Sequence, residues 1–470
     1  MSKQEFPYLS IIMLVIFVVF TLITYPESNL LEDTLNVDNQ FYAIFLALVI
    51  LVYPLEQILK KGLGAIIHTD VVLIQSFIYW SLLDVIQSRY PLTSVSLTAV
   101  KYTYIYLSIF IIAIIIGTNF TFRFPKIVYE ASAVDLTEKV IFNFFIVSFF
   151  ISIFYFYKSS YYDFDYMIRA LNRPRFSSPW ARGVEGGFGA ILEHLKYFGY
   201  FLPSVAVLYA IKIKRITFKV VLLFALAIFF SAFEFQGGGR RITGFLAGVA
   251  VITFLVYKRN NLKIYHFIGL GAIAGGMLVL LDMQLAFRNK GYEGMFNDYE
   301  IEGLNEVRVD DNFFRIAQVI DWIPSIYPFA GSQWLIYSLS RPIPRYFWPG
   351  KPIDPGYDVA KMAGEYGVSL TTTVVGEAYA SGGVYMIIFI GFIYGLIAAS
   401  FRNLLYTNLG ILGFAIYSIG TLATVGGVRA LVDFIIFSYA LLGLLVLFRF
   451  FLKKRSVAMP NSSVIQENQI

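Results

Sequence analysis

Arg240 and Arg241 are the first residues here that ask for a chemical explanation. They stand in "FQGGGRRITG", Phe235 to Gly244, between the apolar runs "VVLLFALAIFFSAFE" and "ITGFLAGVAVITFLVY". Guanidinium groups beside membrane hydrocarbon are costly unless a counter-charge or a ligand receives them. Pairing with a neighbouring acid does not account for them by sequence: their connector holds none, and Glu234 is the only acid close by. The glycines let backbone approach a ligand and expose N–H groups at the start of the next helix, where the dipole favours an anion. The stretch thus reads as an outward-facing anion site at headgroup depth, suited to a lipid-linked phosphate whose tail stays in the bilayer. The competing reading is a tight turn whose arginines snorkel to lipid headgroups.

Two further positions offer acid–base chemistry. Glu377 follows Gly376 just before an apolar helix, where a partly buried carboxylate can take a proton from a hydroxyl; it reads equally as a helix-start glutamate paired with a loop arginine. His194, in "LEHLKYFG", is the second candidate base, or else a hydrogen-bonded structural histidine; His68 and His266 fall near inner helix ends. Arg429 and Asp433, four apart, face the same way on a helix, as an ion pair or with Arg429 serving the phosphate. The absence of cysteine excludes disulfides, thiolate metal sites and cysteine nucleophiles.

The elements that must position these groups are membrane helices. Of 470 residues, 58% are hydrophobic and 14% charged, against about 25% charged in soluble proteins. Mean hydropathy is +0.67. The fold class is an all-α polytopic membrane protein. Twelve apolar runs read as spans, at about 8–25, 40–59, 65–85, 95–117, 140–157, 190–211, 218–236, 241–257, 264–283, 379–400, 409–427 and 429–450. The opening run has no cleavage signal and reads as a retained first helix. Basic connectors at 60–61, 212–215, 257–263 and 453–455 fall on one side and place both termini in the cytoplasm. One membrane domain, 1–455, and a mobile cytoplasmic tail, 456–470, result. Two long outer loops, about 158–189 and 284–375, are expected to hold short amphipathic helices on the membrane surface or over a cavity.

That topology sorts the basic residues by type. The inner side holds 12 Lys and 6 Arg, the outer side 13 Arg and 6 Lys. Outer positive charge is wanted as guanidinium, whose planar fork binds phosphate or carboxylate through paired hydrogen bonds. Alternatively, loop arginines pair with the eleven acidic residues of 284–375. Arg169, Arg173, Arg175 and Arg182 are placed to guide an anionic substrate or hold sugar carboxylates. Trp180, Tyr346, Trp348, Tyr357 and Tyr379 are placed to stack on sugars or to anchor at the interface. The net charge of +6 suits anionic lipids, and no basic block points to nucleic acid.

The glycine-rich "GGGRR", the segment "SLSRPIPRYFWPGKP" (338–352) and "TTTVVGEAYASGGVYMIIFIGFIYG" (371–395) occur in that order. Together they resemble the corresponding motifs of Wzy-type O-antigen and oligosaccharide repeat-unit polymerases. The Arg-x10-Gly spacings of that family have counterparts in Arg175–Gly186 and Arg345–Gly356. The resemblance implies a metal-independent, GT-C-like glycosyltransferase of the bacterial cytoplasmic (inner) membrane, without cofactor, serving lipopolysaccharide or capsule synthesis. It would transfer a growing glycan from undecaprenyl diphosphate to the non-reducing end of a new lipid-linked unit. Its partners would be a chain-length regulator and a lipid-sugar flippase. Arg240 and Arg241 would hold the leaving diphosphate, with Arg341, Arg345, Lys351 and Arg429 as further ligands; Glu377 or His194 would be the base. Two other readings stand beside it: a glycan ligase using the same donor, for which a single transfer is expected, and a lipid-linked oligosaccharide transporter, for which repeated halves are expected.

Overall fold

The computed structural model describes residues 6–26, 32–88, 92, 94–175, 177–181, 189–237, 239–297, 307, 309–341, 343–365 and 370–452. The described residues form helices and connecting turns, with no strand among them. The principal helices are α1 (Tyr8–Thr24), α2 (Glu32–Lys61), α3 (Thr69–Phe77), α4 (Leu97–Gly117), α5 (Glu138–Ser159), α6 (Leu202–Ile213), α7 (Phe218–Gln236), α8 (Arg240–Lys258), α9 (Ile264–Asn297), α10 (Asn312–Trp322), α11 (Thr373–Leu404), α12 (Ile411–Gly426) and α13 (Leu431–Leu447). Nine helices among the described residues are long and apolar enough to cross a membrane, and α1 and α12 are shorter apolar helices. The chain is an α-helical polytopic membrane protein.

The expected span 190–211 is not a continuous helix. Over 190–211 the chain makes a four-residue helix, then a 3₁₀ stretch Glu193–Gly199, and only then α6. Pro203 in the first turn of α6 suits a helix start rather than an interior. Gly199 lies flat against the Phe230 ring, which a Cβ would enter at 2.1 Å. The expected surface helices also behave differently. The helix α10 does not lie on the membrane surface: Phe313, Ile316, Ala317 and Val319 are fully buried, packed between α4 and α11. Its apolar spacing finds a protein partner, which hides that face from water and lipid alike.

Two large apolar cores form among the described residues. One gathers α1 to α4 with α10 and α11; the other gathers α5 to α8 with α12 and α13. In the first, α4 and α11 approach until a Cβ on Gly395 would stand 2.0 Å from the Ile114 carbonyl oxygen, the close packing that small residues permit between membrane helices.

The helix α11 is interrupted at Gly382 and Gly383, the latter at φ 65°, a left-handed conformation that glycine adopts without strain. The break frees carbonyls near 380, and a loop from the long outer segment takes them up. Ala330 N–H donates to Ala380 O at 2.8 Å and Gly331 N–H to Ser381 O at 3.0 Å. The short first half of α11 is thereby fastened to the loop, and Glu377 lies on it.

Candidate functional site: an arginine–carboxylate ladder in a cavity between two cores

A cavity of about 980 Å³ opens where the two cores meet, at the upper end of the range usual for ligand sites. Its walls draw on most of the helices. Tyr79 and Trp80 stand on a π-helical turn, Ile78–Leu82, that interrupts the span begun by α3; such turns re-aim side chains and recur at functional sites. Tyr155 and Phe156 come from α5, Arg240 and Arg241 from the first turn of α8, Ala274, Met277, Leu278 and Leu281 from α9, and Glu377 from α11. Trp180 joins them, its indole N–H donating to Gln236 Oε1 at 3.0 Å.

At the centre is an alternating row of charges. Arg240 donates to Asp310 at 2.5 Å. Asp310 also receives Arg429 at 3.4 Å, and Arg429 donates to Asp433 at 3.1 Å. Arg241 closes the row on the other oxygen of Asp433. The order is Arg240, Asp310, Arg429, Asp433, Arg241. This corrects the expectation that Arg240 and Arg241 lack acidic partners. Their partners are remote in sequence, 70 and 192 residues away, so a search of the local connector could not find them. Arg429 stands in the turn before α13 rather than on the helix, and the pair with Asp433 is present.

Glu377 adjoins this row. Its Oε2 accepts the Leu431 N–H at 2.8 Å, at the N-terminus of α13, where the helix dipole favours a carboxylate. The Val374 N–H donates to Val428 O at 2.8 Å, so the turn bearing Arg429 is tied to the half-helix bearing Glu377. Thr373, at the head of that half-helix, holds φ at 54° while fully buried. A β-branched residue in that region is strained, and such strain clusters at functional sites. Tyr357 also lines the cavity, and burial, with the Glu377 charge beside it, keeps its phenol well above the ordinary tyrosine value.

The lining as a whole is charge-balanced. Six cations (Arg175, Lys196, Arg240, Arg241, Arg341, Arg429) face seven carboxylates (Glu234, Asp310, Asp311, Asp354, Asp358, Glu377, Asp433). Folding carries loop and helix acids to the arginines, so both signs of charge line the cavity.

Several candidates lie elsewhere. Arg345 does not join Arg240 and Arg241 on the cavity wall: its guanidinium donates to the carbonyls of Lys351 (2.7 Å) and Pro352 (2.9 Å). Lys351 is buried and absent from the wall, its ammonium reaching the carbonyls of Ser340, Arg341 and Ile343 at 3.1, 3.4 and 2.9 Å. Burial and the charges of Arg341 and Arg345 lower its pKa. The motif "SRPIPRYFWPGKP" is therefore held by its own cations, which staple the loop. Arg341 alone of these lines the cavity, lying over the Tyr337 ring with a 2.6 Å hydrogen bond to its hydroxyl.

His194 packs its ring against Tyr197 and Tyr439 and is not on the wall. Arg169 pairs with Asp165 at 2.5 Å, both side chains exposed, and Arg173 lies over Tyr166; neither lines the cavity. Of the guiding arginines, Arg175 lines it. Tyr346 and Trp348 are exposed and off the wall, while Tyr379 is buried against Tyr106 and donates to Ile323 O at 3.1 Å. Arg182, Gly186 and the tail 456–470 lie outside the described residues.

Sequence reasoning missed Asp310 as a partner of the arginines. It is one of eleven acids in its loop, and nothing local distinguishes it. The need for a cation at Asp433 was legible, since a lone acid within "LVDFIIFSYALLG" must be paired in a membrane helix.

A family model described as a domain of unknown function (DUF8712) matches residues 307–457. That stretch contains Asp310, Arg341, Glu377, Arg429 and Asp433, while Arg240 and Arg241 lie outside it. No curated protein and no solved structure matches the chain.

Proposed function

We propose that this protein is a polysaccharide polymerase of the Wzy type, a twelve-span, GT-C-like glycosyltransferase of the bacterial inner membrane. It transfers a glycan from undecaprenyl diphosphate to the non-reducing end of a lipid-linked repeat unit on the outer side. The observation that carries the reading is the juxtaposition of three arginines and Glu377 on one cavity wall.

The reaction needs those two kinds of group. The acceptor hydroxyl oxygen attacks the donor's anomeric carbon as its bond to the diphosphate oxygen breaks. The electron pair leaves on the diphosphate, and the hydroxyl proton passes to a base. Charge grows on the diphosphate, so fixed guanidinium groups of Arg240, Arg241 and Arg429 stabilise the transition state more than the ground state. Glu377 is the base in this scheme; a positioned base contributes about 10²–10⁴ in rate. The apolar wall of α9, from Ala274 to Leu281, suits the isoprenoid. Tyr79, Trp80 and Trp180 suit the faces of sugars.

The test is turnover of purified protein in detergent, with lipid-linked repeat units and no ion gradient. A ladder of products that disappears in Arg241→Ala supports the polymerase. A single transfer would make it a ligase, and absence of any chemistry would leave a transporter.

A further inference from the structure

The two carboxylates of the ladder are held differently. Asp433 lies in the first turn of α13, is 1% exposed and is clasped between Arg241 and Arg429. Asp310 belongs to no helix; it precedes α10 in the segment 309–311, is 30% exposed and faces the cavity between Arg240 and Arg429. One acid is part of the frame. The other occupies the position that a ligand's phosphate would take, on the same two guanidinium groups.

From this contrast we infer that Asp310 is an internal competitor that determines which anions the site accepts. The inference rests on the phosphate-site reading above and extends it to selectivity. A phosphodiester headgroup carries one negative charge, as Asp310 does. Exchanging one for the other between Arg240 and Arg429 gains little, and the abundant phospholipids of the membrane are kept out. A diphosphate diester carries two charges. Asp310 itself sits in the field of the ladder's other four side chains, formally +2, three arginines against Asp433. The incoming diphosphate places two charges in that field where the departing carboxylate placed one, so the exchange favours it. Asp433, fixed by its helix, keeps Arg241 and Arg429 in place during the exchange. The movement needed is confined to one side chain of an irregular segment.

The experiment uses the full chain in detergent and two probes, inorganic pyrophosphate and short-chain (dihexanoyl) phosphatidylglycerol, with binding measured by calorimetry. Wild type is expected to bind pyrophosphate and to bind the phosphatidylglycerol far more weakly. Asp310→Asn, which keeps the side-chain shape, is expected to tighten both by about tenfold, enough to make the phospholipid a measurable ligand. Asp310→Ala is the second variant and is expected to act in the same direction; melting temperature and size-exclusion profile establish that each is folded. Asp358→Asn is the control. It removes one carboxylate from the same cavity and leaves a residue equally able to cap its helix, so it reports the general effect of charge.

If Asp310→Asn binds no more tightly than Asp358→Asn while wild type binds pyrophosphate, the competitor role is overturned and the phosphate site stands. If neither wild type nor any variant binds pyrophosphate, both fall. Wild type that binds the two probes equally also overturns the selectivity role.

Discussion

Two of the ion clusters among the described residues differ in what encloses each. Arg402 of α11 pairs with Asp70 of α3, donates to the Thr118 carbonyl at 2.9 Å, and shares Asp70 with the Tyr53 hydroxyl at 2.7 Å. Both charged side chains are at most 1% exposed, and neither lines the cavity. The cluster ties α2, α3, α11 and the end of α4 at one point. The ladder of Arg240, Asp310, Arg429, Asp433 and Arg241 uses the same chemistry beside an open volume of about 980 Å³. An enclosed pair can only hold helices together, since no other partner can reach it. A pair at a cavity wall can exchange one partner for a ligand.

Breaking the enclosed pair has the largest expected effect. Arg402→Ala leaves Asp70 buried without its cation, a loss of about 3–5 kcal/mol, to be read as a fall in melting temperature or loss of monodisperse protein. Replacing both by apolar residues, Asp70→Leu with Arg402→Met, is expected to recover much of that loss, because burying an ion pair is itself costly. A double variant as unstable as the single would show that the ion pair itself, and not the orphaned carboxylate, accounts for the stability. Next comes Arg429→Ala, which takes one partner from each carboxylate of the ladder. The protein stays folded, and the rate of product-ladder formation in detergent falls by about 10²–10³. A normal rate would remove Arg429 from the site. The smallest effect belongs to Arg345→Ala. It loses two hydrogen bonds to loop carbonyls, worth about 0.5–1.5 kcal/mol each, and leaves the rate unchanged. A rate loss as large as that of Arg429→Ala would bring Arg345 back to the substrate.

The spans are largely legible in the sequence. The runs at 218–236 and 241–257 correspond to α7 and α8, and 95–117 to α4, nearly residue for residue. Each is a predominantly apolar stretch whose backbone can satisfy itself in hydrocarbon only as a helix. The exceptions follow from packing between elements remote in sequence. Over 190–211 the ring of Phe230 sets how Gly199 packs, and α10 took up a buried place because α4 and α11 leave a matching gap. At the candidate site, Arg240, Arg241, Glu377 and Arg429 stood out by sequence, since charge in an apolar setting needs an explanation. Arg345 and Lys351 stood out equally and proved to serve their own loop, because a side chain's type does not say which acceptor it will reach.

By itself, then, the amino-acid order determined that this chain is a helical membrane protein, roughly where its helices run, and which of its side chains carry unusual charge. Those properties depend on neighbours a few residues away and on the cost of hydrocarbon contact with polar groups. Only the tertiary structure decided that Asp310 and Asp433 would meet Arg240 and Arg241 across 70 and 192 residues, and that Glu377 would sit at the start of α13. An ion pair is chosen by distance in space, and here the placing of α8, the segment before α10 and the turn before α13 sets that distance.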